Sequence, residues 1–248
     1  TATTSKFWGV SWDKRERRWR AQYKDANGKN RGLGYFDTVI GGEGFTPSMC
    51  TFFTGSPGAG KTTMMLSLAN SLQGNGAQVV FNTAEESLYQ IKMTASRLRL
   101  RHPFAVGGEN NIPNLLKGCD KIRKKNSDRP FFLIVDSLQC MEDGHFNSGR
   151  ITTATAERSL ALLTSYAKEN ACNVIVIGQV NKSGKMAGSQ KLKHMVDQHI
   201  HLSIEEKDED LKGCRLLHTR KNRFGGAGHI AILSLHKTGF NEVGTIEG

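Results

Sequence analysis

From Cys50 onward, apolar runs short enough for strands alternate with longer segments of helical period. CTFFTG at 50–55, QVVFNT at 78–83, FFLIVDS at 131–137 and NVIVIGQV at 173–180 are apolar along most of their length. A strand with one wet face alternates apolar and polar residues. These runs do not alternate, so both of their faces are expected to be covered. Between them, TTMMLSLANSLQ at 62–73, ESLYQIKMTASRLRL at 86–100 and TATAERSLALLTSYAKEN at 153–170 predict helices. Strands alternating with helices in this way predict an α/β fold with a mainly parallel sheet. EEKDEDLK at 205–212 is nearly all charged and is expected at a solvated hairpin tip.

Residues 1–38 follow a different pattern. They hold all three tryptophans, Trp8, Trp12 and Trp19, among many basic residues. FWGVSW and RWRAQYKD read as short strands, and Asn27-Gly28 predicts a hairpin turn between RWRAQYKD and RGLGYF. The expected organisation is a small basic β-rich segment at 1–38 followed by an α/β core at 39–248. There is no internal repeat and no low-complexity tract.

Composition narrows the reading. With 248 residues and 38% hydrophobic content, the chain can bury one sizeable core and carry a small appendage. No apolar run approaches the roughly 18 residues of a membrane span, and TATTSKFWGV lacks the apolar stretch of a signal peptide. A cytoplasmic protein with no membrane partner is expected. Cys50, Cys119, Cys140, Cys172 and Cys214 form no CxxC pair, which argues against a disulfide framework or a zinc site. The net charge of +11 favours a polyanionic partner, and +6 of it lies between Lys6 and Arg31.

The sharpest chemical signal is GSPGAGKTT at 55–63, a complete G-x-x-x-x-G-K-[ST] match after a predicted strand and before a predicted helix. Gly55, Ser56, Pro57, Gly58, Ala59 and Gly60 form a loop whose backbone N–H groups can wrap a phosphate, helped by the helix N-terminus. Lys61 is expected at the β- and γ-phosphates of ATP, Thr62 at Mg²⁺, and Thr63 completes the binding segment. Asp136 ends an apolar strand and is expected beside the loop as the second magnesium residue. Glu85, with Glu86 as the alternative, follows QVVFNT and suits a general base for the attacking water. The order of phosphate loop, strand-end glutamate and strand-end aspartate marks a RecA-like P-loop core. Gln179, ending NVIVIGQ, is placed to contact the γ-phosphate and signal its loss to the next loop. That loop, NKSGKMAGSQKLK at 181–193, sets Lys182, Lys185 and Lys191 among glycines, a composition suited to a nucleic-acid backbone.

GSPGAGKTT, AEES at 84–87 with Gln90-Ile91 and Arg97-Leu98, IVDSLQ at 134–139, HMVD at 194–197 and KNRFG at 221–225 together resemble the bacterial RadA (Sms) recombination ATPases. The resemblance runs from about Phe36 to Phe240. It implies a homo-oligomer, a hexameric ring, acting on single-stranded or branched DNA. It also implies that Lys221 and Arg223 enter the ATP site of the adjacent subunit, where a cation stabilises transition-state charge. Three features depart from that family: the sequence has no four-cysteine zinc finger and no Lon-protease-like domain, and it carries Gln179 where a histidine is usual. Residues 5–38 are similar to the Apetala-two/ethylene-response-factor DNA-binding domain, which lays a three-stranded sheet in the major groove. That likeness implies DNA contacts by Arg18 and Arg20, and a helix after FDT, where this chain runs instead into VIGGEGFTPS. The mixture suggests a phage gene expressed in a bacterial host. A DNA-dependent ATPase of recombination and repair is thus expected. A DnaB-type replicative helicase and a KaiC-like regulatory ATPase are the alternatives.

Overall fold

The computed structural model describes residues 10–13, 18–21, 23–24, 30–31, 35–40, 45–145, 152–179, 189–246 and 248. Near the N-terminus, β1 (Val10–Asp13) pairs antiparallel with β2 (Arg18–Ala21), and Trp12 lies opposite Trp19. β3 (Tyr23–Lys24) pairs antiparallel with β4 (Asn30–Arg31). The pairing of Lys24 with Asn30 brackets the expected turn at Asn27-Gly28, which itself lies outside the described residues. Among the described residues these strands make two separate pairs rather than one three-stranded sheet. A short helix, α1 (Tyr35–Val39), covers Phe36-Asp37-Thr38 itself instead of following it.

Beyond α1 the chain builds one sheet, nine-stranded among the described residues. Its strands are β5 (Cys50–Gly55), β6 (Gln78–Thr83), β7 (Ala105–Gly107), β8 (Phe131–Asp136), β9 (Asn173–Gln179), β10 (Gln198–Ile204), β11 (Arg215–Asn222), β12 (Ile230–His236) and β13 (Gly239–Ile246). The spatial order is β13-β12-β11-β10-β5-β9-β8-β6-β7. Pairing is parallel from β10 through β5, β9, β8 and β6 to β7, and antiparallel from β10 to β13. The expected α/β fold with a mainly parallel sheet is what the chain adopts. The charged segment 205–212 joins β10 to β11, at the hairpin tip expected for it.

The helices are α2 (Lys61–Gly74), α3 (Leu88–Arg97), α4 (Ile112–Lys124), α5 (Thr153–Glu169) and α6 (Ser189–Met195). α3 is shorter than its sequence pattern at both ends. Ser87 caps it through a reciprocal box with Gln90, and Arg99 at φ 55 stops it. Among the described residues, no helix is long and apolar enough to cross a membrane.

Every residue of β5 and β8 is buried because adjacent side chains enter opposite cores. Phe53, Phe81, Ile134 and Ile177 pack on the α2 side with Met64, Met65 and Leu72, and α1 adds Phe36 and Val39. Phe52, Leu133, Val135 and Val176 pack on the other side with Ile112 and Leu115 of α4 and Leu160 and Leu163 of α5. The core therefore takes in α1, ahead of residue 39.

β9 runs parallel beside β5 with Gly178 level with Thr54, and a Cβ at Gly178 would lie 2.5 Å from the Phe52 ring. Phe52 is fully buried, so the ring has no vacant space to move into. Gly178→Ala is expected to destabilise the fold by about 1–3 kcal/mol, the usual penalty for overpacking a filled core. Urea unfolding of the variant checks this, and a midpoint equal to that of the parent chain would refute it.

Candidate active site

β5, in the middle of the sheet, delivers the chain to Gly55 at its carboxyl end, and the loop 55–60 turns back into α2. Gly58 and Gly60 take φ of 74° and 99°, values that favour glycine, and they turn the loop inside two residues of α2. A Cβ at Gly60 would also meet the Phe240 ring at 2.9 Å, so the β12–β13 hairpin backs the loop. Lys61 opens α2 and folds over the loop, its Nζ donating to the carbonyls of Gly55 (3.1 Å) and Ser56 (3.2 Å). Burial lowers its pKa, while Asp136 and Glu85 act in the opposite direction.

β8 runs parallel beside β6 and ends at Asp136, level with Thr83. The Thr62 hydroxyl donates to Asp136 Oδ2 at 2.7 Å, so the two residues expected to share a metal are in direct contact. Burial pushes the Asp136 carboxyl up to about 6; the Thr62 bond opposes the shift and the Glu85 and Glu86 carboxylates add to it. A buried carboxylate and a hydroxyl are hard oxygen donors, and the surplus of negative charge favours a cation. These residues fit Mg²⁺.

Of the two candidate bases, Glu85 is the one built into the cluster. Gln179 Nε2 donates to both of its carboxylate oxygens at 2.6 Å, and the Ser137 hydroxyl donates to Oε2 at 3.2 Å. The Glu86 backbone is bound instead to the Thr83 hydroxyl, through both its N–H (2.9 Å) and its carbonyl (3.0 Å). Ser137 and Gln139 belong to IVDSLQ, a motif that by sequence assigns a role only to its aspartate. Gln139 clamps the Gln179 backbone, donating to its carbonyl and accepting from its N–H, each at 3.2 Å. Arg97 is a further site residue, one of those that carry the family resemblance but to which the sequence assigns no role. From α3 it donates to the Lys237 carbonyl at 2.6 Å and to the Thr63 hydroxyl at 3.3 Å. All three belong to the quoted motifs, which mark them without saying what they touch.

Lys221 and Arg223 are not brought to this loop. Arg223 N donates to the Asp197 carbonyl, and Asp197 N donates to the carbonyl of Cys50, at the start of β5. Gly55 lies five residues further along β5, roughly 16 Å at strand rise. Lys221 Nζ donates to the carbonyls of Lys193 (2.9 Å), His194 (3.3 Å) and Val196 (2.7 Å). Arg223 donates to Asp197 Oδ1 at 3.1 Å, while Asp197 Oδ2 accepts from Cys50 N at 3.0 Å. Lys191 pairs with Glu157 at 2.6 Å on the surface, a contact of about 0–1 kcal/mol that is easily given up. Arg18 and Arg20 lie two apart on β2, opposite Asp13 and Ser11. Lys182 and Lys185 lie outside the described residues.

Asp197 is 4% exposed and Arg223 47%, so removing either partner has unequal consequences. Asp197→Ala strands the buried Cys50 N–H and is expected to cost about 1–3 kcal/mol. Arg223→Ala should cost less, because Asp197 keeps its backbone donor. Chemical denaturation of both variants checks the ranking, and equal losses would contradict it.

Residues 51–204 match the ATPase family associated with various cellular activities (AAA). The DNA repair protein RadA of Haemophilus influenzae is 32% identical over 213 residues, spanning 86% of this chain and 44% of that protein. The DNA repair protein RadA of Brucella abortus is 30% identical over 213 residues, with the same shares. The chain thus spans less than half the length of these curated relatives. Among solved structures, a KaiC-like protein of the archaeon Pyrococcus horikoshii superposes with a TM-score of 0.67 at 18% identity, covering 84% of this chain and 95% of that one. That likeness shows the fold. Since the family match takes in the phosphate loop from Thr51 onward together with Glu85, Asp136 and Gln179, the chain belongs to the ATPase family associated with various cellular activities (AAA) and is a P-loop ATP hydrolase on a RecA-like core.

Proposed function

We propose that this protein is a DNA-dependent ATPase of RadA type, acting in recombination and repair on single-stranded or branched DNA. In this reading Lys61 and the loop 55–63 hold ATP, and Thr62 and Asp136 hold Mg²⁺, which neutralises phosphate charge when bound. Glu85 accepts the proton of the attacking water. The support for Glu85 over Glu86 is its three side-chain bonds to Ser137 and Gln179. Gln179 then ties the base to the strand that leads into 181–193, where Lys182, Lys185 and Lys191 meet the DNA backbone. Residues 1–38, with Arg18 and Arg20, add a basic contact for duplex.

The observation that carries an oligomeric reading is the position of Arg223. It sits at the far end of the strands from its own phosphate loop, on a half-exposed side chain. A residue so placed serves the γ-phosphate of a neighbouring subunit, in a ring whose ATP sites lie at subunit interfaces. The arginine that the same chain brings near the loop is Arg97, at Thr63.

Variant kinetics and the response to single-stranded DNA test this. Glu85→Gln is expected to keep MgATP binding while turnover falls about 10²–10⁴-fold; near-normal turnover would transfer the role to Glu86. Lys61→Ala and Arg223→Ala, each inactive alone, should recover activity when mixed, because some interfaces then pair an intact loop with an intact arginine. An arginine finger contributes about 10³–10⁵ in rate, so even a minority of rebuilt sites is visible. Full DNA-stimulated hydrolysis by Arg223→Ala alone, with loss in Arg97→Ala, would place the cation in the same chain and sink the interface model. An ATPase rate indifferent to single-stranded DNA would favour the KaiC-like alternative.

A further inference from the structure

A second polar concavity opens on the α5 and α6 side of the sheet. It has a volume of about 410 Å³, and its lining includes Thr54, Lys193, His199, His201, Arg220 and Lys221. Its floor is a hydrogen-bonded triad: the Thr54 hydroxyl lies 2.8 Å from His199 Nε2 and 2.8 Å from His201 Nδ1. Its basic wall comes from an irregularity in the β10–β11 pairing. His199 faces Lys221 while Ile200 faces Thr219, so Arg220 has no partner on β10. A bulge of this kind re-aims side chains, and here it sends Arg220 and Lys221 to the same cavity.

The charge in this cavity is one-sided. The charged side chains acting on the two imidazoles are Lys193, Arg220, Lys221 and Lys61, all of them cations. Burial, followed by these cations, holds His199 down to about 3 and His201 down to about 4, so both rings are neutral. Lys221 is committed to three backbone carbonyls. Lys193 and Arg220 make no ion pair among the described residues. Cations gathered in a half-enclosed cleft repel one another, and an anion of matching size relieves that repulsion. The volume admits a group the size of one or two phosphates, and the triad, whose two internal bonds use two of its three polar protons, keeps one N–H or O–H to donate to a phosphate oxygen.

We propose that this cavity is a second phosphate-binding site, built by Lys193 and Arg220 over the Thr54–His199–His201 floor, that takes backbone phosphates of a nucleic-acid strand. The choice of a strand as the phosphate source rests on the DNA-dependent reading above; the phosphate chemistry does not. Thr54 immediately precedes Gly55, so a phosphate held here sits one residue from the start of the nucleotide loop.

The test uses the full chain and the double variant Lys193→Gln/Arg220→Gln. A fluorescent oligothymidylate is titrated by anisotropy between 50 and 200 mM salt. Two lost contacts at about 0.7 each in log–log slope mean that the parent chain loses about sevenfold more affinity over this range than the variant does. The charge-keeping variant Lys193→Arg/Arg220→Lys should retain the parent slope. In a second arm, inorganic phosphate is added without nucleotide or DNA and the rise in melting temperature is read. The nucleotide loop is common to both proteins, so a larger rise in the parent than in the Gln/Gln variant reports the cavity. A larger rise without oligonucleotide binding keeps the site, assigns it to free phosphate and removes the strand reading. Oligonucleotide binding with equal slopes and equal phosphate shifts overturns the cavity proposal and leaves the DNA reading standing.

Discussion

Parallel pairing of β5, β9, β8 and β6 is the constraint on which the site depends. Parallel strands finish at the same edge of a sheet, so the residues that end them are brought together whatever their distance along the chain. Gly55 is level with Gln179, and Thr83 is level with Asp136. From those four ends come the phosphate loop, the base candidate, the carboxylate that fits a metal and the polar side chain bonded to the base candidate. The connection from β5 passes over β9 and β8 to reach β6, whereas the chain leaving β9 returns past β5 to β10. The connections leaving the neighbouring strands β5 and β9 thus run in opposite directions, and such a reversal leaves a crevice at their carboxyl ends, beside the phosphate loop.

What holds the strands in that order is burial on both faces. Phe52 and Phe53 are adjacent in sequence, yet they lie in different cores on opposite sides of the sheet. Each fully buried phenylalanine contributes about 1.5–3 kcal/mol, so a slip of one residue in β5 would misplace both rings at once. The polar groups at the strand ends are tolerated because each has partners: Thr62 for Asp136, Ser137 and Gln179 for Glu85, Cys50 N–H and Arg223 for Asp197. An acidic cluster thus lies at the loop, while Lys221 and Arg223 bond to the 193–197 segment, which meets the start of β5.

The strands of the parallel core were legible as uninterrupted apolar runs. QVVFNT coincides with β6, and CTFFTG with β5. Other elements were silent for physical reasons. β7 has only three residues and little burial, leaving no pattern to read. α4 carries Pro113 in its first turn and Gly118 in its middle; both interrupt a helical pattern, although proline is well suited to that first turn. β10 places His199 and His201 at positions where apolar residues are expected, because they face a polar cavity instead of a helix. The N-terminal strands were anticipated as elements, but their partition into two pairs depends on which edges meet.

The sequence by itself determined the phosphate loop, the two carboxylates and the strand–helix alternation, because each is encoded by neighbouring residues. Backbone conformation in a glycine-rich loop and burial along a six-residue strand are local properties. Tertiary structure alone decided that Glu85, rather than Glu86, is held by Ser137 and Gln179. It also decided that Lys221 and Arg223 bond to the 193–197 segment and not to their own nucleotide loop, and that a bulge turns Arg220 into a histidine-floored cavity. Those outcomes depend on which strand ends lie side by side, and residues far apart in the chain settle that only when the sheet closes.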